Sequence, residues 1–391
     1  MDPRLARWLV GPEGAHSLAQ ATAETDPGSL AAAERLRRIL PPDRAAAVLT
    51  QVSLRRRAVA KLGPQAGTMF LTADGLEQAT RPMVAAWRAE RLRSAGVVRV
   101  LDLGCGIGAD ALGFAAAGLQ VVAVEQDEAT AVLAGANLGR DVIVGDATEL
   151  LDALIDDHAD DHTAVFCDPA RRTASGRSWR VEDLTPPWSF VQRVLGLGIN
   201  CVKLGPGVPH ALIPPGVAAT WVSAAGDLVE LSLWSGAWEP GRAAVLLPQQ
   251  TVLGEGGPLG AEPPARRPNV GEVLYEPDPA VIRAGLTDRL AAELGAWRVH
   301  PGIAYLVAAE GRHTPFATAF EILYVLDADE KSLRAWVRAG RIGTLEIKKR
   351  GLDLDPAALR RRLKPSGAAS ATLVITPTPD GARALVVRRL S

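Results

Sequence analysis

The stretch RVLDLGCGIGAD, residues 99–110, decides how this chain is read. An apolar run reaches Asp102, and Gly104, Gly106 and Gly108 then alternate with other residues before a helix-forming segment begins. Glycine takes positive φ at little cost and lets the backbone pass close to a bulky ligand. The helix that follows turns its N-terminus, with its free N–H groups, towards any anion lying over the loop. The acid two positions before the first glycine makes the pattern DxGxGxG, distinct from the GxGxxG of dinucleotide loops. A tight strand-to-helix turn with no ligand is the plain alternative, so the flanking sequence has to decide.

Downstream, LQVVAVEQD (119–127), DVIVGDAT (141–148), TAVFCDPAR (163–171) and INCVKLGPG (199–207) read as further strands. GADALGFAAAG (108–118) and EATAVLAGANLG (128–139) read as helices between them. Strands alternating with helices predict a parallel sheet covered on both faces. GVAATWVSA (216–224) and DLVELSLWSGAW (227–238), joined by Ala225-Gly226, read as an antiparallel hairpin closing that sheet. The expected fold class is thus α/β, a Rossmann-like parallel sheet ending in an antiparallel hairpin. Residues 1–95 read as a helical N-terminal region, with LAAAERLRRIL and DRAAAVLTQVSLRRRAVAKL at helical spacing. Residues 96–253 then form the sheet domain, 254–271 a Gly/Pro-rich linker, and 272–391 a small α+β domain.

Composition sets outer limits. With 391 residues, 48% hydrophobic and 22% charged, the chain resembles ordinary globular proteins and has apolar side chains for more than one core. No apolar run is long enough to cross a membrane as a helix, and the start lacks the layout of a secretory signal. Cys105, Cys167 and Cys201 are too few for a disulfide framework and form no CxxC pair. A reduced cytoplasmic protein without a structural metal is expected. The net charge of −1 leaves partners open, because a neutral total can hide segregated charge.

Four acids stand just past the ends of successive strands: Asp102, Glu125, Asp146 and Asp168. Any one of them could cap a helix; the recurrence of all four points to a ligand laid across the strand ends. LDLGCGIGADAL, VVAVEQD, VIVGDA and FCDPARR together resemble the class I S-adenosylmethionine-dependent methyltransferases, and specifically a bacterial group with a C-terminal THUMP-like domain. FLTADGLEQATRP (70–82), KLGPG (203–207), TPFATAFEILYV (314–325) and EIKKRG (346–351) are similar to the same group, so the resemblance covers most of residues 65–391. It implies that Asp102, Gly104, Gly106 and Gly108 hold the methionine part of S-adenosylmethionine. Glu125 would accept from the ribose hydroxyls, and Asp146 with the Ala147 N–H would take the adenine.

Asp168-Pro169-Ala170-Arg171 stands where amino-directed methyltransferases carry [DN]PP and an aromatic residue. A ring amine is a weak nucleophile because its lone pair is delocalised. A carboxylate and a proline-fixed carbonyl can accept its hydrogens, and alignment with the methyl donor supplies the rest. Here Ala170 and Arg171 replace the second proline and the aromatic, so Trp188 or Trp179 is the candidate for stacking on a base. Arg171 and Arg172 would contact phosphate or pair with Glu182 or Asp183, and Lys203 is expected at the rim of the site. Between Lys331 and Lys364 eleven basic residues face three acidic ones, so Lys348, Lys349 and Arg350 are expected on a face that binds RNA. A solvated helix face is the alternative. The expected activity is methyl transfer to a base nitrogen of tRNA or rRNA. A protein or small-molecule amine substrate, or a non-catalytic RNA-binding protein, are the other readings.

Overall fold

In a computed structural model, residues 1–157, 162–171, 180–257 and 265–390 are described. They fall into two compact units, 1–219 with 230–240, and 220–229 with 241–391. Contrary to the expected boundaries, residues 1–95 do not form a separate unit, and the later division lies at Pro240–Gly241 rather than at residue 254.

The first unit is built on five parallel strands, β1 (Arg99–Leu103), β2 (Gln120–Glu125), β3 (Ile143–Val144), β4 (Thr163–Cys167) and β7 (Asn200–Leu204), in the order β3-β2-β1-β4-β7. Two short pieces, β5 (Ala170–Arg171) and β6 (Leu184–Thr185), pair with each other outside this sheet. Every residue of β7 is buried, as expected for a strand covered on both faces. β8 (Ala218–Ala224) and β9 (Asp227–Ser235) form the hairpin, and Ala225 and Gly226 both take positive φ, as a tight two-residue hairpin turn requires. The 230–235 end of β9 lies antiparallel to β7. This is the class I methyltransferase architecture.

Helices α1 (Pro3–Val10), α2 (Pro12–Thr22), α3 (Leu30–Arg37) and α4 (Pro42–Leu62) share one core with Ala129 and Leu133 of α8 (Glu128–Leu138). Asp2 and Ser29 cap α1 and α3 through their side chains. Pro82 starts a new helix, so α5 (Ala73–Gln78) and α6 (Pro82–Ser94) are separate. α7 (Ala109–Ala116) packs tightly on α6: a Cβ at Gly113 would lie 2.7 Å from that of Ala85. α9 (Ala147–Asp157) and α10 (Trp188–Leu195) complete this unit's helices among the described residues.

In the second unit, β10 (Gly241–Leu247) pairs with β8 and with β11 (Thr251–Gly254), a hairpin that sequence reading left within the sheet domain. A separate sheet follows, made of β12 (Val273–Pro277), β13 (Trp297–Arg298), β14 (Leu306–Ala308), β15 (Ala317–Asp327), β16 (Ile342–Lys349), β17 (Ala369–Thr378) and β18 (Gly381–Arg389). Its order is β13-β14-β12-β15-β18-β17-β16, with only β16 and β17 parallel among the pairs described. Two-residue periodicity splits it into two cores. Leu373, Ile375, Ala384 and Val386 face α13 (Glu330–Ala339) and α14 (Pro356–Leu363), while Val374, Leu385 and Val387 join Leu274 and Tyr305 on the other side. Short helices α11 (Pro279–Arg283) and α12 (Thr287–Leu294) lie between β12 and β13 in the chain.

Because α6 and α7 meet at Gly113, Gly113→Val should cost about 1–3 kcal/mol of stability through overpacking. Denaturant unfolding would measure it, and an unchanged midpoint would show that the two helices are not held this close.

Candidate functional site

The glycine loop sets the shape of the site. Gly104, Gly106 and Gly108 have φ of 85°, 56° and 85°, so all three use the freedom that glycine provides. A Cβ at Gly104 or Gly106 would meet nothing within 4 Å, and both residues line a cavity of about 670 Å³. That volume is typical of small-molecule and cofactor sites. Gly108 lies one step behind, starting α7, with Leu138 3.4 Å from where its Cβ would be. Asn137 braces the loop from α8, its amide donating to the Ile107 and Phe70 carbonyls at 2.9 Å each.

Glu125 ends β2 on the cavity wall. Its carboxylate accepts from the Gly106 N–H and the Asp127 N–H, both at 2.9 Å, which ties the strand end to the loop. Asp146 also lines the cavity, but one oxygen is used locally, accepting from the Thr148 N–H and hydroxyl at 2.7 Å each. Ala147 and Thr148 line the wall beside it. Asp102 differs from both. It is 1% exposed, neither oxygen has a hydrogen-bond partner, and burial together with nearby Asp110 and Asp168 pushes its pKa well up. Asp102 is not one of the lining residues; a buried carboxyl without a partner beneath a glycine loop suits a cationic group or a bridging water.

On the same cavity the Asp168 carboxylate, 30% exposed, is ion-paired to Lys203. Burial raises the Asp168 pKa, and Lys203 opposes that shift. Lys203 was expected at the rim; it is 9% exposed, because the all-buried β7 carries it inside. Its ammonium also reaches the Thr80 hydroxyl at 2.9 Å and Asp110 at 3.4 Å. Asp110 in turn pairs with Arg88, which is fully buried and also pairs with Glu230. Thr80 and Ser232 donate to Asp110 and Glu230 at 2.6 and 2.7 Å. Burial alone would raise the Asp110 pKa, but Arg88 and Lys203 hold it below the ordinary value.

The remaining expected residues divide. Ala170 lines the cavity, whereas Pro169 is buried beside it and is not one of the lining residues. Trp188 is half-buried and off the cavity wall. It begins α10, and the 100° step per residue gives the wall to Ser189 and Phe190 instead. The Arg171 side chain, Arg172 and Trp179 lie outside the described residues. Sequence reading missed Thr80, Arg88, Asp110, Glu230 and Phe190. Arg88 carried a signal: it stands between Val84 and Leu92 at helical spacing, on the stripe that α6 buries.

The basic run also rearranges. Alternation along β16 sends Lys348 and Lys349 to opposite faces. Lys348 pairs with Glu276 at 2.6 Å, Arg350 stacks 5.3 Å from the Tyr305 ring, and the Lys349 ammonium donates to the Leu352 carbonyl at 3.2 Å. Lys348, Lys349 and Arg350 therefore do not make one free cationic face. A groove of about 400 Å³ lies elsewhere in the same unit, lined by Arg334, Arg338, Arg341, Lys364 and Ser366 at the C-terminal ends of α13 and α14. Arg338, Arg341 and Lys364 form no ion pair among the described residues. Among the described residues no helix is long and apolar enough to cross a membrane, and no group of three or more His, Cys, Asp or Glu is placed to hold a metal ion.

Comparisons with known proteins bear on the family. Residues 317–389 match the family model described as THUMP domain-like, and residues 2–58 match a domain of unknown function. A crystal structure from Porphyromonas gingivalis W83, of a provisionally assigned methyltransferase, superposes with a TM-score of 0.78 at 23% identity, covering 99% of this chain and 98% of that one. An uncharacterized S-adenosylmethionine-dependent methyltransferase of Mycobacterium tuberculosis, strain H37Rv, is 33% identical over 347 residues, 85% of this chain and 93% of the relative. Its counterpart in strain CDC 1551 matches equally. The glycine loop, the acid at the end of β2 and the orphaned Asp102 suit that cofactor, and at this identity and coverage the chain belongs to the S-adenosylmethionine-dependent methyltransferases.

Proposed function

We propose that the enzyme methylates a base nitrogen of RNA, with Asp168 accepting from the reacting amine. The observation that carries the reading is the Asp168 carboxylate, held by Lys203 and opening on the same cavity as the glycine loop. In this reading Asp102, Gly104, Gly106 and Gly108 position the methionine end of the cofactor, Glu125 the ribose, and Asp146 with Ala147 the adenine. S-adenosylmethionine, when bound, supplies an electrophilic methyl group. Asp168, with the backbone at Pro169 and Ala170, then orients the acceptor nitrogen and accepts its hydrogens. Phe190 is the aromatic residue on the wall, but at 5% exposure it supplies apolar contact rather than an open stacking face, so the aromatic that the Ala170-Arg171 ending of the motif leaves out has no exposed replacement there.

RNA as the substrate is supported by the THUMP-like match, because THUMP domains accompany RNA-modifying enzymes, and by the groove at Arg338, Arg341 and Lys364. Cations at helix C-termini also favour the helix dipole, which is the alternative role for these residues.

Three outcomes follow. Asp168→Ala should lower methyl transfer from labelled cofactor to total RNA by about 100-fold or more, the scale of a positioned acceptor, with cofactor affinity in calorimetry nearly unchanged. Nucleoside mass spectrometry of RNA from a strain lacking the protein should show one methylated base disappear. Label reaching only protein or small molecules would replace RNA with the second reading. Reversing Arg338, Arg341 and Lys364 to Glu should weaken RNA binding and reduce its salt dependence, since each lost phosphate contact lowers the slope by about 0.7–0.9. Parental affinity at every salt concentration would make the groove an ordinary solvated surface.

A further inference from the structure

The buried ion network is more extensive than the architecture requires. Glu230, Arg88, Asp110, Lys203 and Asp168 alternate in sign from β9 through α6 and α7 to the ends of β7 and β4. A purely structural staple could end at Asp110, where Arg88 and Thr80 already satisfy the carboxylate. Instead Lys203 extends it to a carboxylate that opens on the cavity. An ammonium has three hydrogens, and here Thr80, Asp110 and Asp168 receive them. Three partners on three separate segments of the chain leave the ammonium no free rotation, so its contact with Asp168 has one direction. Asp168 is faced by Lys203 from β7, by Arg88 from α6, and by the acids Asp110 from α7 and Asp102 from β1. Lys203 is the cation in direct contact, while the burial and both acids favour the protonated form.

We infer that Lys203 is a positioning residue for methyl transfer, holding the Asp168 carboxylate anionic and in a single orientation at the acceptor end of the cavity. The inference rests on the reading of Asp168 given above. It adds that the ionised state is supplied by a lysine whose own place is fixed by Thr80 and Asp110. The residue is not expected to touch the acceptor.

The test needs no RNA substrate. Sinefungin carries a protonated amine where S-adenosylmethionine carries its reactive methyl, and S-adenosylhomocysteine carries neither. The ratio of their dissociation constants therefore reports negative charge at the transfer position. Effects of Glu125 and Asp146 on the shared adenosine and amino-acid parts cancel in the ratio. In the parental protein sinefungin should be preferred at neutral pH, with the preference fading as pH falls through the Asp168 pKa. Asp168→Asn should reduce that preference by about tenfold or more, the equivalent of one pKa unit of coupling. Lys203→Met should move the midpoint up by about 1–3 pH units, the usual effect of removing an adjacent opposite charge from a carboxylate. Lys203→Arg should move it back towards the parental value. Lys203→Met leaves Asp110 paired with Arg88, and Asp168 can hydrate from the cavity, so folding should survive. If it does not, Thr80→Val, which removes one anchor of the ammonium, should move the midpoint in the same direction by less. A midpoint that stays at the parental value in the folded variants, while Asp168→Asn loses the preference, overturns the role of Lys203. A preference that survives Asp168→Asn overturns the placement of Asp168 instead.

Discussion

Arg88 is the constraint on which the first unit depends. A fully buried guanidinium can be stable only if its charge is matched, and Asp110 and Glu230 match it from α7 and β9. Its guanidinium also lies 5.0 Å from the Phe166 ring of β4. Removing either acid would leave Arg88 with one carboxylate partner and buried N–H groups unsatisfied, at a cost of about 1–3 kcal/mol. Four elements distant in sequence are thereby fixed around the position where β4 and β7 end. The same network brings Lys203 to Asp168, so the interaction that orders the unit also sets the charge at the cavity.

That arrangement explains why the cavity wall differs between the glycine loop and Asp168. At the glycine loop the donors are backbone N–H groups and the acids are spaced along successive strands, which suits a ligand with an extended polar outline. At Asp168 the cavity wall combines Phe190, Ala170 and Pro186 with the polar Thr80, Asp110, Lys203 and Ser189. A few placed polar groups beside apolar residues are selective for orientation. Burial raises the pKa of both Asp102 and Asp168, but their partners differ. The Asp102 carboxyl has no hydrogen-bond partner, whereas Asp168 is paired with Lys203.

The glycine loop, the parallel order of the strands and the hairpin at Ala225-Gly226 were legible because each is a local backbone requirement with a fixed residue signature. The network was not. Lys203 meets Thr80 and Asp110, which stand 123 and 93 positions earlier, and no local spacing announces such pairings. A lysine following a buried strand looked like a rim residue until the burial of its end was known. The basic stretch around Lys348 misled for a related reason. Charge counted along the chain ignores alternation on β16, and Glu276 from β12 neutralises the residue that faces it. Trp188 was displaced from the wall by the angular step of one helix, two residues ahead of Phe190.

A crystal structure with S-adenosylhomocysteine bound should show the ligand along one cavity between the glycine loop and Asp168. The amino-acid end should lie over Gly104 and Gly106, the ribose at Glu125, and the thioether sulfur should turn towards Asp168. Density in another cleft, or a sulfur directed away from Asp168, would contradict this placement.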